Sequence, residues 1–179
     1  MSATSLRLFF ALWPDAAVRG AIAALARDVA GETRGRPVVA DNLHLTLAFL
    51  GERPAAMVPD LCACVSTIDT SSFELSLDEV GCWRKTGIAW LTAKRIAPPL
   101  LVMQEHIVEA LRGLHILIDE RRFTPHMTLA RRIEVIVSRQ IAPSIDWRIG
   151  SFALVASTLD PAGVRYAVVK TWPDSARRN

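Results

Sequence analysis

The segment His44-Leu45-Thr46-Leu47-Ala48 returns as His126-Met127-Thr128-Leu129-Ala130, identical at four of five positions. In both copies His and Thr alternate with apolar residues, the period of a half-buried strand. Around the first copy this alternation puts Leu43, Leu45, Leu47 and Phe49 on one face and His44, Thr46 and Ala48 on the other. A predicted hairpin follows each copy further along the chain. Two similar lobes are expected, each presenting one strand with the same polar face. A pseudo-twofold axis between them would bring the two His-x-Thr faces together over one cleft.

The remaining elements fit around these strands. Leu6 to Leu12 reads as a buried strand. Pro14-Asp15 opens a helix running to about Ala30, with Gly31 closing it. Arg36 to Val39 is a short edge strand, and a helix is expected from about Ala55 to Thr67. Phe73, Leu75 and Leu77 mark a strand that returns as Ile88 to Thr92 across Arg84-Lys85-Thr86-Gly87. Pro98-Pro99 starts a helix ending near Arg112. After the strand Pro125 to Arg131, a hairpin joins Trp147–Thr158 to Val164–Trp172 across Asp160-Pro161-Ala162-Gly163. Ser175 to Asn179 reads as a loose tail. No linker interrupts the 179 residues, so 1–179 is expected to be a single bilobal domain.

Composition narrows the class. Half the residues are hydrophobic (51%), which excludes a disordered chain, and the net charge of +3 is too small for a general nucleic-acid coat. The basic residues are nearly all Arg, with Lys only at 85, 94 and 170. Guanidinium groups grip phosphate through paired hydrogen bonds. Three cysteines, an odd number, argue against a secreted disulfide framework, and Cys62, Cys64 and Cys82 read as buried thiols. The apolar run Leu8 to Trp13 is too short for a signal peptide, and no stretch approaches a membrane span. A soluble, cytoplasmic, monomeric protein is expected.

Paired histidines bring a specific chemistry. Imidazole titrates near neutrality, so two in one cleft can hold opposite protonation states. One takes a proton from a nucleophile while the other protonates the departing oxygen. A 2′,3′-cyclic phosphate suits such a pair, having a ribose oxygen to expel and an anionic phosphorus centre to steady. Thr46 and Thr128 share the faces of His44 and His126 and can donate to phosphate oxygens. His106 and His115 read as ordinary. No phosphate-binding glycine loop, nucleophile elbow or zinc-binding His-Glu-x-x-His occurs, so neither metal nor cofactor is expected.

Longer strings extend the pattern. Arg7-Leu8-Phe9-Phe10-Ala11-Leu12, Asn42 to Gly51, Pro125 to Arg131 and Arg165-Tyr166 resemble the bacterial and archaeal RNA 2′,3′-cyclic phosphodiesterases, formerly called 2′-5′ RNA ligases. These belong to the two-histidine phosphoesterase superfamily, and the likeness spans essentially the whole chain. It implies an α+β fold with two antiparallel sheets flanked by helices and a cleft between the lobes. It implies metal-independent hydrolysis of cyclic phosphate RNA ends, tRNA halves among the candidates, to 2′-phosphomonoesters, with weak reverse 2′-5′ ligation. It makes His44 the proton donor and His126 the acceptor, an assignment the near-identical motifs cannot distinguish from its reverse. The resemblance also places Arg131 on phosphate. Strict alternation instead puts Arg132 on the His126 face, and a bulge in the strand would reconcile the two. Phe10, Trp83 and Trp90 are candidate base-stacking residues, and Arg121 and Arg122 could track an RNA backbone. Competing readings are a phosphodiesterase for 2′-5′ oligonucleotides or small nucleotide cyclic phosphates, and a non-catalytic RNA-end-binding module.

Overall fold

Antiparallel pairing runs through the whole molecule. The computed structural model describes residues 4–119, 121–160 and 163–173. In chain order the elements are β1 (Ser5–Leu12), α1 (Ala16–Thr33), β2 (Arg36–Pro37), β3 (Leu45–Pro54), α2 (Val58–Cys64), β4 (Phe73–Trp83), β5 (Ile88–Thr92), α3 (Pro98–Gly113), β6 (Met127–Arg131), β7 (Arg139–Ile149), β8 (Phe152–Asp160) and β9 (Gly163–Trp172). The strands follow the order β7-β4-β5-β6-β3-β1-β8-β9, with β2 added to β6. A half of five strands (β7, β4, β5, β6 and β2) therefore meets a half of four (β3, β1, β8 and β9) at β6 and β3. A single residue pair, Leu45 opposite Met127, is registered across that seam.

The halves exchange parts. The β4–β5 hairpin follows the first motif in sequence but pairs into the second motif's half, through β5 on β6. The β8–β9 hairpin follows the second motif and pairs with β1, beside β3. The helices cross as well: α1 lies against β6, and α3 against β3. Their apolar stripes, Ile22, Ala26 and Val29 in α1 and Leu100, Met103, Ile107 and Leu111 in α3, fill the main core under the sheet. The opposite face carries a small second core of Phe9, Ala11, Ala153 and Val155, with Trp13 and Tyr166 against it.

Local chemistry fixes the element ends. The Asp15 carboxylate accepts from the backbone N–H of Ala17 and Val18 at 2.9 and 3.0 Å, capping α1. Gly31 does not end this helix. It continues to Thr33, whose hydroxyl donates to the Val29 carbonyl, and Arg34 closes it in the left-handed region at φ 54°. The expected helix 55–67 is shorter, because α2 starts at Val58, with Pro59 in its first turn, only after a 3₁₀ turn at Ala55–Met57. The expected strand Trp147–Thr158 is two strands. Gly150 and Ser151 break it, so Trp147 stays in β7 beside β4 while Phe152 begins β8 beside β1. Cys62, Cys64 and Cys82 are free and half-buried at the core's margin, not enclosed. Pro161 and Ala162 of the expected turn, and the expected tail 175–179, lie outside the described residues. Among the described residues no helix is long and apolar enough to cross a membrane.

Candidate active site

Each histidine stands one residue before its strand, so the seam pair Leu45–Met127 sets both at the centre of the molecule. Both line one cleft of about 710 Å³, together with Thr46, Thr128, Arg131, Phe9, Phe49 and Tyr166. Continuing the seam register in either direction sets His44 across from Thr128 and Thr46 across from His126. The cleft is thus built from two copies of one motif, head to tail.

Both rings are held in the same way. His44 Nδ1 lies 2.7 Å from the Asn42 carbonyl and His126 Nδ1 2.8 Å from the Thr124 carbonyl, two residues back in each case. A carbonyl only accepts, so Nδ1 carries the proton and donates. Nε2 is left as the working nitrogen of both rings. That of His44 lies 3.1 Å from the Thr46 hydroxyl. Burial pushes both imidazole pKa values below their ordinary value of 6.5. The carbonyl bonds oppose the shift, and the nearby Arg131 guanidinium reinforces it at both rings.

Arg131 reaches this face because β6 bulges. Trp90 is registered with Thr128 but Ala89 with Ala130, so Leu129 is an extra residue. Leu129 and Ala130 are both buried, and the next side chain, Arg131, turns back into the cleft. Arg132 lies outside the catalytic cleft, in a neighbouring cavity. The first motif bulges at the equivalent place. Phe10 is registered with Ala48 but Ala11 with Thr46, leaving Leu47 extra. The expected faces are therefore corrected: Ala48 is buried, and Phe49 is 46% exposed on the histidine side. Phe49 is the positional counterpart of Arg131, and the Arg7 guanidinium lies 5.0 Å from its ring centre.

The stacking candidates divide. Phe10 is wholly buried, packed on Phe152 and Trp172, because its strand parity points it into the main core. Its neighbour Phe9 faces the cleft, 4.9 Å from the His44 ring. Trp83 packs T-shaped on His126 at 4.5 Å and lines a second cavity of about 580 Å³. Trp90 lies flat over Gly81, where a Cβ would come within 2.4 Å of the indole, and lines neither cavity. Arg121 and Arg122 line the second cavity, Arg121 in a fork with the Asp119 carboxylate. Residues that sequence reasoning missed surround His44. Trp13 stacks on its ring at 5.3 Å and 8°, and Tyr166 meets it edge-on at 5.1 Å. His106 and His115 are exposed and remote from the cleft lining.

Residues 12–90 match the family model described as LigT like Phosphoesterase. The RNA 2′,3′-cyclic phosphodiesterase of Escherichia coli is 33% identical over 168 residues, 93% of this chain and 95% of its own length. The chain belongs to the LigT-like phosphoesterase family. The RNA 2′,3′-cyclic phosphodiesterase of Thermus thermophilus is also 33% identical, over 92% of this chain and 88% of its own. A crystal structure of E. coli LigT complexed with 3′-AMP has the same architecture, with a TM-score of 0.87 at 31% identity, covering 96% of this chain and 99% of that one. The α+β fold that the resemblance implied is that of the matched LigT structure.

Proposed function

We propose that this LigT-like phosphoesterase opens 2′,3′-cyclic phosphate ends of RNA to 2′-phosphomonoesters, with His44 and His126 as its acid–base pair. The observation that carries the reading is the matched pair of rings. Both have Nδ1 tied to a backbone carbonyl, which frees Nε2 for work in one cleft that also holds Arg131. The E. coli and T. thermophilus relatives carry the name of this activity.

In this mechanism His126 Nε2 takes a proton from water, whose oxygen bonds to phosphorus. The P–O3′ bond breaks, and its electron pair goes to O3′, which takes the proton from protonated His44 Nε2. Attack in line with the leaving group calls for base and acid on opposite sides of phosphorus, as two halves facing one cleft provide. Thr46, Thr128 and Arg131 donate to the non-bridging oxygens as charge builds there. One chain supplies both histidines, so no second subunit is needed. The reverse step would join a 2′,3′-cyclic end to a 5′-hydroxyl through a 2′-5′ bond.

The test digests a short RNA ending in a 2′,3′-cyclic phosphate, with a metal chelator present, and resolves products against 2′- and 3′-phosphate standards. A dominant 2′-phosphate is expected, at a rate unaffected by chelation. A dominant 3′-phosphate would reverse the orientation of the sugar. Tight binding without turnover would favour an RNA-end-binding module.

A further inference from the structure

A third cavity, of about 340 Å³, opens off the catalytic cleft on the His44 side. It shares His44, Thr128, Arg131 and Tyr166 with that cleft and adds Arg36 and Arg132 to its lining. Arg36 lies directly opposite Arg131 in the β2–β6 register, and Arg132 follows Arg131 in the chain. Like charges facing each other on a ladder repel. Arg132 is also held at φ 55°, a backbone conformation unfavourable for a residue with a long side chain. The ion pairs Arg121–Asp119 and Arg139–Glu32 do not reach this cavity. The rest of its lining (Pro37, Val38, Val39, Asn42, Gly163 and Val164) brings no acid. Three arginines therefore line a concavity whose lining supplies no counter-charge. Folding alone gives no reason for this arrangement, whereas an anion does.

We propose that Arg36 and Arg132 form a second phosphate subsite, which binds a phosphate on O5′ of the nucleotide bearing the cyclic phosphate. The inference rests on the cyclic phosphodiesterase reading above. With the cyclic phosphate held by the histidines and Arg131, the next phosphate along RNA is one ribose away. Arg36 and Arg132 flank Arg131, one across the ladder and one along the chain, and line the cavity that adjoins the cleft. The cavity on the His126 side differs. There Trp83 and Phe123 supply apolar surface, and of the two arginines, Arg121 and Arg122, the first is matched by Asp119. The ligand can be an internucleotide diester or a terminal 5′-phosphate, since both present anionic oxygens at O5′.

The experiment compares kcat/KM for four substrates: cytidine 2′,3′-cyclic phosphate, its 5′-phosphorylated form, a CpC dinucleotide ending in the cyclic phosphate, and that dinucleotide with a neutral methylphosphonate linkage. The wild-type protein is expected to favour the two with an anionic O5′-phosphate by about tenfold, mainly through KM. The larger gain of the two identifies the natural source. The advantage should weaken with added salt and be absent with methylphosphonate. In the double variant Arg36→Gln, Arg132→Asn the advantage should fall below about twofold, while the unphosphorylated substrate keeps its rate. The melting temperature should hold or rise as repulsion is relieved. Arg132→Asn alone, suited to the left-handed backbone, gives a second variant with a partial loss. Equal loss on all substrates, an advantage that survives the double variant, or active wild-type protein showing no advantage would each overturn the subsite. Wild-type protein inactive on every substrate would instead sink the reading on which the inference rests.

Discussion

The two halves spell the same motif and hold their histidines by the same carbonyl bond, yet surround them differently. His44 lies in an aromatic cage, flat against Trp13 with Phe9 and Tyr166 around it, and touches the Thr46 hydroxyl. His126 meets the single ring of Trp83, and its second cavity is a different one from that which His44 lines. After the matching bulges, one half sends Phe49 into the cleft and the other sends Arg131. Local sequence thus fixes what the histidines share: tautomer, strand position and a common direction. Elements distant in sequence decide how they differ. A ring face against an imidazole favours its charged form, by about 0.5–2 kcal/mol. That asymmetry fits His44 as the proton donor.

Removing the shared feature should have the largest effect. His44→Ala and His126→Ala are each expected to lower kcat on the order of 10²–10⁴-fold, with the double variant little worse. Far-UV circular dichroism should remain native. Near-normal turnover by either folded variant would separate the two rings and end the comparison. Next comes the position where the halves part. Arg131→Ala should cost about 10²–10³-fold in kcat, as for a lost oxyanion donor. Phe49→Ala should act on KM instead, by roughly the 1–3 kcal/mol of one stacked base. If both variants act on kcat alike, the division of labour after the bulges is wrong.

The pH profile sharpens the comparison further. Burial lowers both imidazole pKa values, so the singly protonated pair dominates on the acid side of 6.5. The bell-shaped profile of kcat/KM should therefore centre below 6.5, its two limbs belonging to the pair. Trp13→Leu should move the centre further toward acid, because the ring face no longer favours protonated His44. A centre above 6.5 would contradict the shift by burial, and one indifferent to Trp13 would contradict the cage.

The smallest effect is on stability. In the folded protein both histidines prefer the neutral form more than they do unfolded. Their contribution is fully present above pH 6.5 and is lost as pH falls through the lowered folded values. The melting temperature should drop over that interval, and less so in the His44→Ala, His126→Ala double variant. An equal drop in both proteins would assign the acid sensitivity elsewhere.

Much of this design was legible in the chain. The duplicated pentapeptide announced two like halves, Asp15 marked the start of α1, and the conflict between Arg131 and Arg132 pointed to a bulge. The matching bulge at Leu47 went unread, because Leu47-Ala48-Phe49-Leu50 is apolar throughout and passes for simple alternation. Only registration with β1 reveals the extra residue. Phe9 and Phe10 are chemically equivalent in the sequence, and the choice between them depends on which sheet face the helices cover. Trp13 and Tyr166 meet His44 from opposite ends of the chain, which no local pattern encodes. The part of β7 before Trp147 was missed because its residues alternate weakly around Pro143 at the edge of the sheet.

The exchange of hairpins and helices across the seam has a consequence for how the molecule can be divided. A cut in the loop between α2 and β4 leaves a first piece with β1 and β3 but without β8, which closes β1 on its other side. Its helix α1 would lack β6, the strand it covers. The second piece would hold β6 uncovered, with α3 lacking β3. Neither fragment owns a complete hydrophobic interior, so each completes the other only on reassociation. The apparent boundary between the halves is therefore the place where the polypeptide is most firmly interlocked.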